Sequence, residues 1–167
     1  MSYTQTIPHV VIIESRFYSE IADELYKGAG LELESHGIAH SRITVPGILE
    51  IPIALRIVIE ATKSGSIVST EWRKPDGYII LGALLRAEIG CSDLVYQETL
   101  RALQDLACYY TLPVSYGLII ANSIEQARAV SLPQGGNKGG EAAQSCLALI
   151  DLKRKLGLQS SAIITPK

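Results

Sequence analysis

This chain is poor in positive charge, in aromatic rings and in cysteine, and each shortage excludes something. Fifteen Lys and Arg (15) against 17 Asp and Glu leave a formal charge of -2, too little cation for a surface that grips nucleic acid. Aromatic residues make up 6% of the chain, too few to build stacking platforms for single strands. The 3 cysteines, Cys91, Cys108 and Cys146, are odd in number and lack metal-ligand spacing. That argues against a disulfide framework and a structural metal site, and it suits a reducing compartment. The start, MSYTQTIPHV, has no basic stretch and no long apolar core, so no secretory signal is expected. No run approaches the roughly 18 apolar residues of a membrane span, and a cytoplasmic protein is the default expectation. No G-x-G-x-x-G follows the first strand-like segment and no G-x-x-x-x-G-K-[ST] occurs anywhere, so dinucleotide and P-loop sites are poor readings.

What is present is a globular composition, 47% hydrophobic with 14 glycines over 167 residues. Such a length is most simply one domain, residues 1–167, with 1–8 and 159–167 as loose tails. Residues 9–14 form an apolar, β-branched run that reads as a first strand. Ala22, Leu25, Ala29 and Leu33 then repeat at helical spacing, and Gly37 stops that helix. Residues 41–45 read as a second strand halted by Pro46-Gly47, followed by a helix carrying Ile53, Ala54, Ile57, Val58 and Ala61. Residues 63–75 break the pattern and read as a surface insertion. Residues 78–81 are a third strand, 92–110 a helix and 113–120 a fourth strand. A short helix from Ser123 and a last one carrying Ala143, Cys146 and Ile150 complete the chain. Four strands alternating with helices predict a three-layer α/β/α, flavodoxin-like fold: a parallel sheet with an extra C-terminal helix.

The stretch from 76 to 100 concentrates chemistry. A buried strand there runs through Arg86, Ala87, Glu88, Ile89, Gly90 and Cys91 into a helix capped by Ser92 or Asp93. A strand end facing a helix N-terminus gathers backbone N–H groups where an anion can sit. Phe17, the single phenylalanine, stands at the end of strand one, as a packing staple or as a flat face for a planar ligand. Glu50, among apolar neighbours at the second corner, is either a helix-start acid or an acceptor for a polar ligand. Cys91 is either a small filler or a thiolate helped by the adjacent helix.

Five segments, in order, resemble the lumazine synthase family: SRF at 15–17, VPGILEIP at 45–52, LGALLRAE at 81–88, PVSYGLIIANSIEQA at 113–127 and GGNKGGEAA at 135–143. The resemblance covers nearly the whole chain, and VPG-x-x-EIP and GNKG-x-EAA are its most specific parts. It implies a transferase of riboflavin biosynthesis, condensing 5-amino-6-(D-ribitylamino)uracil with 3,4-dihydroxy-2-butanone 4-phosphate to 6,7-dimethyl-8-ribityllumazine. It implies a homo-oligomer of pentamers or their multiples, with no cofactor and no metal. By the same resemblance, Phe17 would stack on the pyrimidine, and Ile48, Leu49 and Glu50 would hold the ribityl chain. Ala83, Leu84 and Leu85 would offer backbone contacts, and Glu88 and Ile89 main-chain N–H groups to phosphate. Tyr116 would close the pocket from a neighbouring subunit, and Lys138 lies in the matched turn. The family reads RG-x-T-x-H-F/Y-D where this chain reads RAEIGCSD, so Cys91 stands at the catalytic histidine position. Val130 stands at the phosphate-binding arginine position, and Arg128 lies about 200° away around the helix. A thiol is a poor base near neutrality. Two readings follow: an enzyme that relies on positioning, or a non-catalytic relative that binds lumazine or flavin or only forms the shell.

Overall fold

A computed structural model describes residues 7–65, 73–88 and 90–158. In chain order its elements are β1 (His9–Ser15), α1 (Ser19–Ser35), β2 (Ala39–Val45), α2 (Ile51–Ser64), β3 (Gly77–Leu85), α3 (Ser92–Tyr110), β4 (Val114–Ala121), α4 (Ile124–Ser131) and α5 (Lys138–Lys155). All neighbouring strands are parallel, in the order β2-β1-β3-β4. Every residue of β1 and β3 is buried, as their unbroken apolar runs require of strands covered on both faces. The edge strand β2 is partly exposed throughout.

Alternation along the strands splits the interior into two cores. Val10, Ile12, Ile79 and Leu81 pack with Leu25, Ala29, Ala143 and Cys146 beneath α1 and α5. Val11, Ile13, Tyr78 and Ile80 pack with Leu55, Val58, Leu103 and Ala107 beneath α2 and α3. The three-layer α/β/α expectation therefore holds, with α5 as the extra terminal helix. That helix is seated by Gly139. A Cβ there would overlap the Leu25 carbonyl oxygen and come within 2.8 Å of the Leu25 carbonyl carbon and 3.0 Å of the Ala29 nitrogen.

Three local expectations change. In α2 the inward residues are Ile51, Leu55, Val58 and Ile59, while Ile53 and Ile57 point outward. Of the predicted insertion at 63–75, Lys63 and Ser64 belong to α2, and residues 66–72 lie outside the described residues, as do 1–6 and 159–167 of the predicted tails. At α3 the N-cap is Cys91, with no side-chain cap bond, rather than Ser92 or Asp93. Ser92 is buried, and the Asp93 carboxylate is taken by Arg86.

Candidate active site

From β1 the chain crosses to β2 on one side, then returns to β3 on the other. That reversal opens a crevice beyond the carboxyl ends of β1 and β3, the usual ligand position in an open parallel sheet. The Arg16 N–H donates to the Val45 carbonyl at 2.8 Å and draws the end of β1 against the end of β2. Ile48 is buried beside Ser15, and a Cβ on Gly82 would lie 3.3 Å from its side chain, so it floors the crevice. Glu50 occupies the N-cap position of α2 without making a cap bond. Its carboxylate folds over Gly47, where a Cβ would sit 2.7 Å from Oε2. Leu49 is exposed.

Phe17 is 62% exposed, which sets aside its reading as a core staple. Its ring meets Tyr18 edge-on, with centroids 4.9 Å apart. The Tyr18 hydroxyl donates to Glu88 Oε2 at 2.7 Å, spanning the crevice from the β1 loop to the β3 loop. Burial, reinforced by the Glu88 carboxylate, pushes the Tyr18 phenol up to about 12, so it remains a donor at neutral pH. Arg86 grips Asp93 through Nε at 3.0 Å and Nη2 at 2.9 Å, and reaches Asn122 Oδ1 at 3.2 Å. The hydrogen bond from Arg86 holds the Asp93 carboxyl below its ordinary range. These contacts fix the turn between β3 and α3, and nothing in the local sequence spacing marks the Tyr18–Glu88 bond.

Ala83, Leu84 and Leu85 are buried, which leaves main-chain groups as what they can offer a ligand. The Glu88 N–H is engaged at 3.3 Å by the Leu85 carbonyl, so an incoming phosphate would have to displace that long turn bond. Ile89 lies outside the described residues. Cys91 is exposed at the start of α3.

A second group lies along edge strand β4. A groove of about 260 Å³ there is lined by Tyr96, Leu118, Ile120, Gln126, Val130 and Lys138. Lys138 Nζ pairs with Glu141 at 2.9 Å. Arg128, about 200° around the helix from Val130, instead pairs with Glu20 of α1. Tyr116, on the same strand, is half-buried, and its hydroxyl has no partner among the described residues. Burial pushes that phenol up to about 12.

The two groups belong to different strands: Phe17 follows β1 and Glu50 follows β2, while Tyr116 lies on edge strand β4. The β2 and β4 backbones are three strand spacings, roughly 14 Å, apart, and the Ile48 side chain reaches inward from the β2 side to Gly82 of β3. Among the described residues no group of three His, Cys, Asp or Glu side chains could hold a metal ion. Among them, too, no helix is long and apolar enough to cross a membrane.

Residues 8–154 match the family model for 6,7-dimethyl-8-ribityllumazine synthase. A protein of Agrobacterium fabrum (strain C58) bearing that name is 41% identical over 150 residues, spanning 90% of this chain and 97% of its own. A namesake from Paramagnetospirillum magneticum is 40% identical over 151 residues, spanning 90% of this chain and 98% of its own. The protein named 6,7-dimethyl-8-ribityllumazine synthase 1 of Rhodopseudomonas palustris (strain CGA009) is 41% identical over 148 residues, or 88% of this chain and 86% of its own.

Proposed function

This chain belongs to the 6,7-dimethyl-8-ribityllumazine synthase family, and from that premise we propose how its own residues perform the family's condensation. The enzyme is a transferase of riboflavin biosynthesis. It joins 5-amino-6-(D-ribitylamino)uracil to 3,4-dihydroxy-2-butanone 4-phosphate with loss of phosphate and water. An amine adds to a ketone, phosphate leaves, and a second amine closes the ring. Holding two substrates face to face accounts for a large part of such a rate. One observation carries the assignment of roles: an exposed phenyl ring stands at the switch point of the sheet, with Glu50 on the β2 side and Glu88 on the β3 side. Phe17 stacks on the pyrimidine, and Ile48, Leu49 and Glu50 meet the ribityl chain. The ends of β3 offer backbone, and Lys138 supplies the cation for the phosphate-bearing substrate.

The site is completed by a second copy of the chain, in a homopentamer or a multiple of one. Two features support this reading. Phe17 and Glu50 follow β1 and β2, whereas Tyr116 lies on edge strand β4 and Val130 and Lys138 line the groove along it. Leu49, Ile53 and Ile57, spaced by four residues, are 58%, 64% and 62% exposed and form an apolar stripe that solvent alone would leave uncovered.

A second reading, ligand binding without turnover, is favoured by Cys91 and Val130, which supply neither the imidazole nor the guanidinium of the family pattern. Incubating the purified protein with both substrates and following lumazine absorbance separates the two. Turnover establishes the synthase. Tight product binding without turnover, abolished by Phe17→Ala, establishes the binder.

A further inference from the structure

Glu14 is a charged residue at the end of a fully buried strand, with no solvent exposure at all. Taking a carboxylate out of water is costly unless hydrogen bonds and opposite charge compensate it. Its Oε1 accepts from Arg42 Nη2 at 2.6 Å, Arg42 Nε at 3.1 Å and Arg16 Nη1 at 3.2 Å. Both guanidiniums also bond Asp23 of α1, Arg42 at 3.1 Å and Arg16 through the same Nη1. Two acids and two arginines therefore close a ring that ties β1, β2 and α1 together. Arg42 is further held over the Tyr26 ring, 4.1 Å from its centroid. Glu14 Oε2 has no partner among the described residues, so the carboxylate is held from one side only.

Such a ring is a poor device for stability alone, because well-packed apolar residues would serve as well. Its placement suggests another use. Arg16 is the member that immediately precedes Phe17. Its main-chain N–H is fixed to Val45 and its side chain to Glu14 and Asp23. Two anchors on one residue determine both the position and the rotation of the backbone that presents the phenyl ring. We propose that Glu14 is a positioning residue, which acts through Arg16 to aim Phe17 at the planar ring of the substrate. The proposal rests on the reading of Phe17 as the stacking face.

The test is a four-protein binding cycle on the full, assembled chain: wild type, Glu14→Gln, Phe17→Ala and the double variant. Each is titrated with 6,7-dimethyl-8-ribityllumazine, with a thermal melt run alongside. Glu14→Gln is expected to weaken binding about fivefold, within the range of couplings inside one salt-bridge network. In the Phe17→Ala background the same change should have no further effect. A purely structural Glu14 would lower the melting temperature and leave the Kd of the folded protein within twofold of wild type, which overturns the proposal. Fold-changes that multiply in the double variant overturn it as well, because Glu14 would then act elsewhere than through Phe17. Unchanged affinity in Phe17→Ala alone would instead remove the stacking reading beneath it. Should Glu14→Gln fail to assemble, Asp23→Asn opens the same ring from its exposed side. It should weaken binding about twofold or more, again only when Phe17 is present. Wild-type affinity in Asp23→Asn would then overturn the proposal.

Discussion

Placing an imidazole at position 91 and a guanidinium at position 130 should raise kcat/KM, and the two changes should move different parameters. Cys91 is exposed and makes no cap bond, so Cys91→His removes little packing and should shift stability by no more than about 0.5 kcal/mol. At a helix N-terminus the macrodipole disfavours imidazolium, and a neutral imidazole can accept a proton near pH 7. General acid–base help is commonly worth about 10²–10⁴-fold. Where positioning carries much of the rate, the gain in kcat should lie near or below the lower figure.

Val130 is half-buried against the α1-side core and lines the groove it shares with Lys138. Its replacement sacrifices about half the burial of a valine, roughly 1 kcal/mol of stability. A charge-assisted contact to phosphate should return about 1.5–3 kcal/mol of binding. At about 1.4 kcal/mol per factor of ten, that is roughly ten- to a hundredfold in affinity for the phosphate-bearing substrate. Glu141 already holds Lys138 at 2.9 Å, which tempers repulsion between the two cations. Steady-state kinetics on wild type, both single variants and the double variant decide the matter. Cys91→His should act on kcat. Val130→Arg should act on KM for the phosphate substrate, with a benefit that shrinks as salt rises. The double variant should exceed either. A native protein faster than both single variants would refute the reasoning and point to the loop's own groups, with the Tyr18–Glu88 pair the first to examine. Activity in none of the four would favour the binding reading.

Three further outcomes are expected. Gly139→Ala puts a methyl group into the Leu25 carbonyl and should cost at least about 1–3 kcal/mol by denaturant unfolding; a change under 0.5 kcal/mol would mean α5 is seated differently. Ile53→Asp charges the apolar stripe of α2 and should shift sedimentation toward the 18.1 kDa monomer, whereas an unchanged profile would remove α2 from the interface. Burial holds the His9 imidazole below its ordinary pKa of 6.5 against opposing backbone and carboxylate contributions, so below that pH the unfolded chain takes up the proton first. Stability should therefore fall as pH drops below about 6.5. His9→Gln should flatten that slope without abolishing it, since burial also lowers His40, and an unaltered slope would exclude His9.

How much of this was legible in sequence depended on how local each signal is. The unbroken apolar runs of β1 and β3 announced buried strands, and both are central in the sheet. Helix α2 carries isoleucine or leucine at 51, 53, 55, 57 and 59, so apolarity surrounds it and periodicity could not tell Leu55 from Ile57. The cap of α3 differs from the expected Ser92 or Asp93 because Arg86 competes for Asp93, a pairing that spacing rules do not contain. Phe17, Glu50 and Lys138 could be singled out by motif. Tyr18 and Glu88 are 70 residues apart, and Glu14 and Arg42 are 28 apart; each pair becomes a contact only once strand order is known.

Assigning Phe17 and Glu50 to one copy's face and Lys138 to the next copy's β4 groove has a consequence for genetics. On the proposed assembly, each reaction centre is a junction, built from the switch-point face of one copy and the β4 edge of the next. A chain disabled at Phe17 still carries a sound edge, and a chain disabled at Lys138 still carries a sound face. Co-assembled in equal amounts, two inactive proteins would rebuild about one junction in four from sound halves, as expected for head-to-tail contacts around a closed ring. Lesions in the same half would rebuild none. Inactivating mutations in this protein would then fall into two complementation groups within a single gene, divided by which side of the sheet they strike.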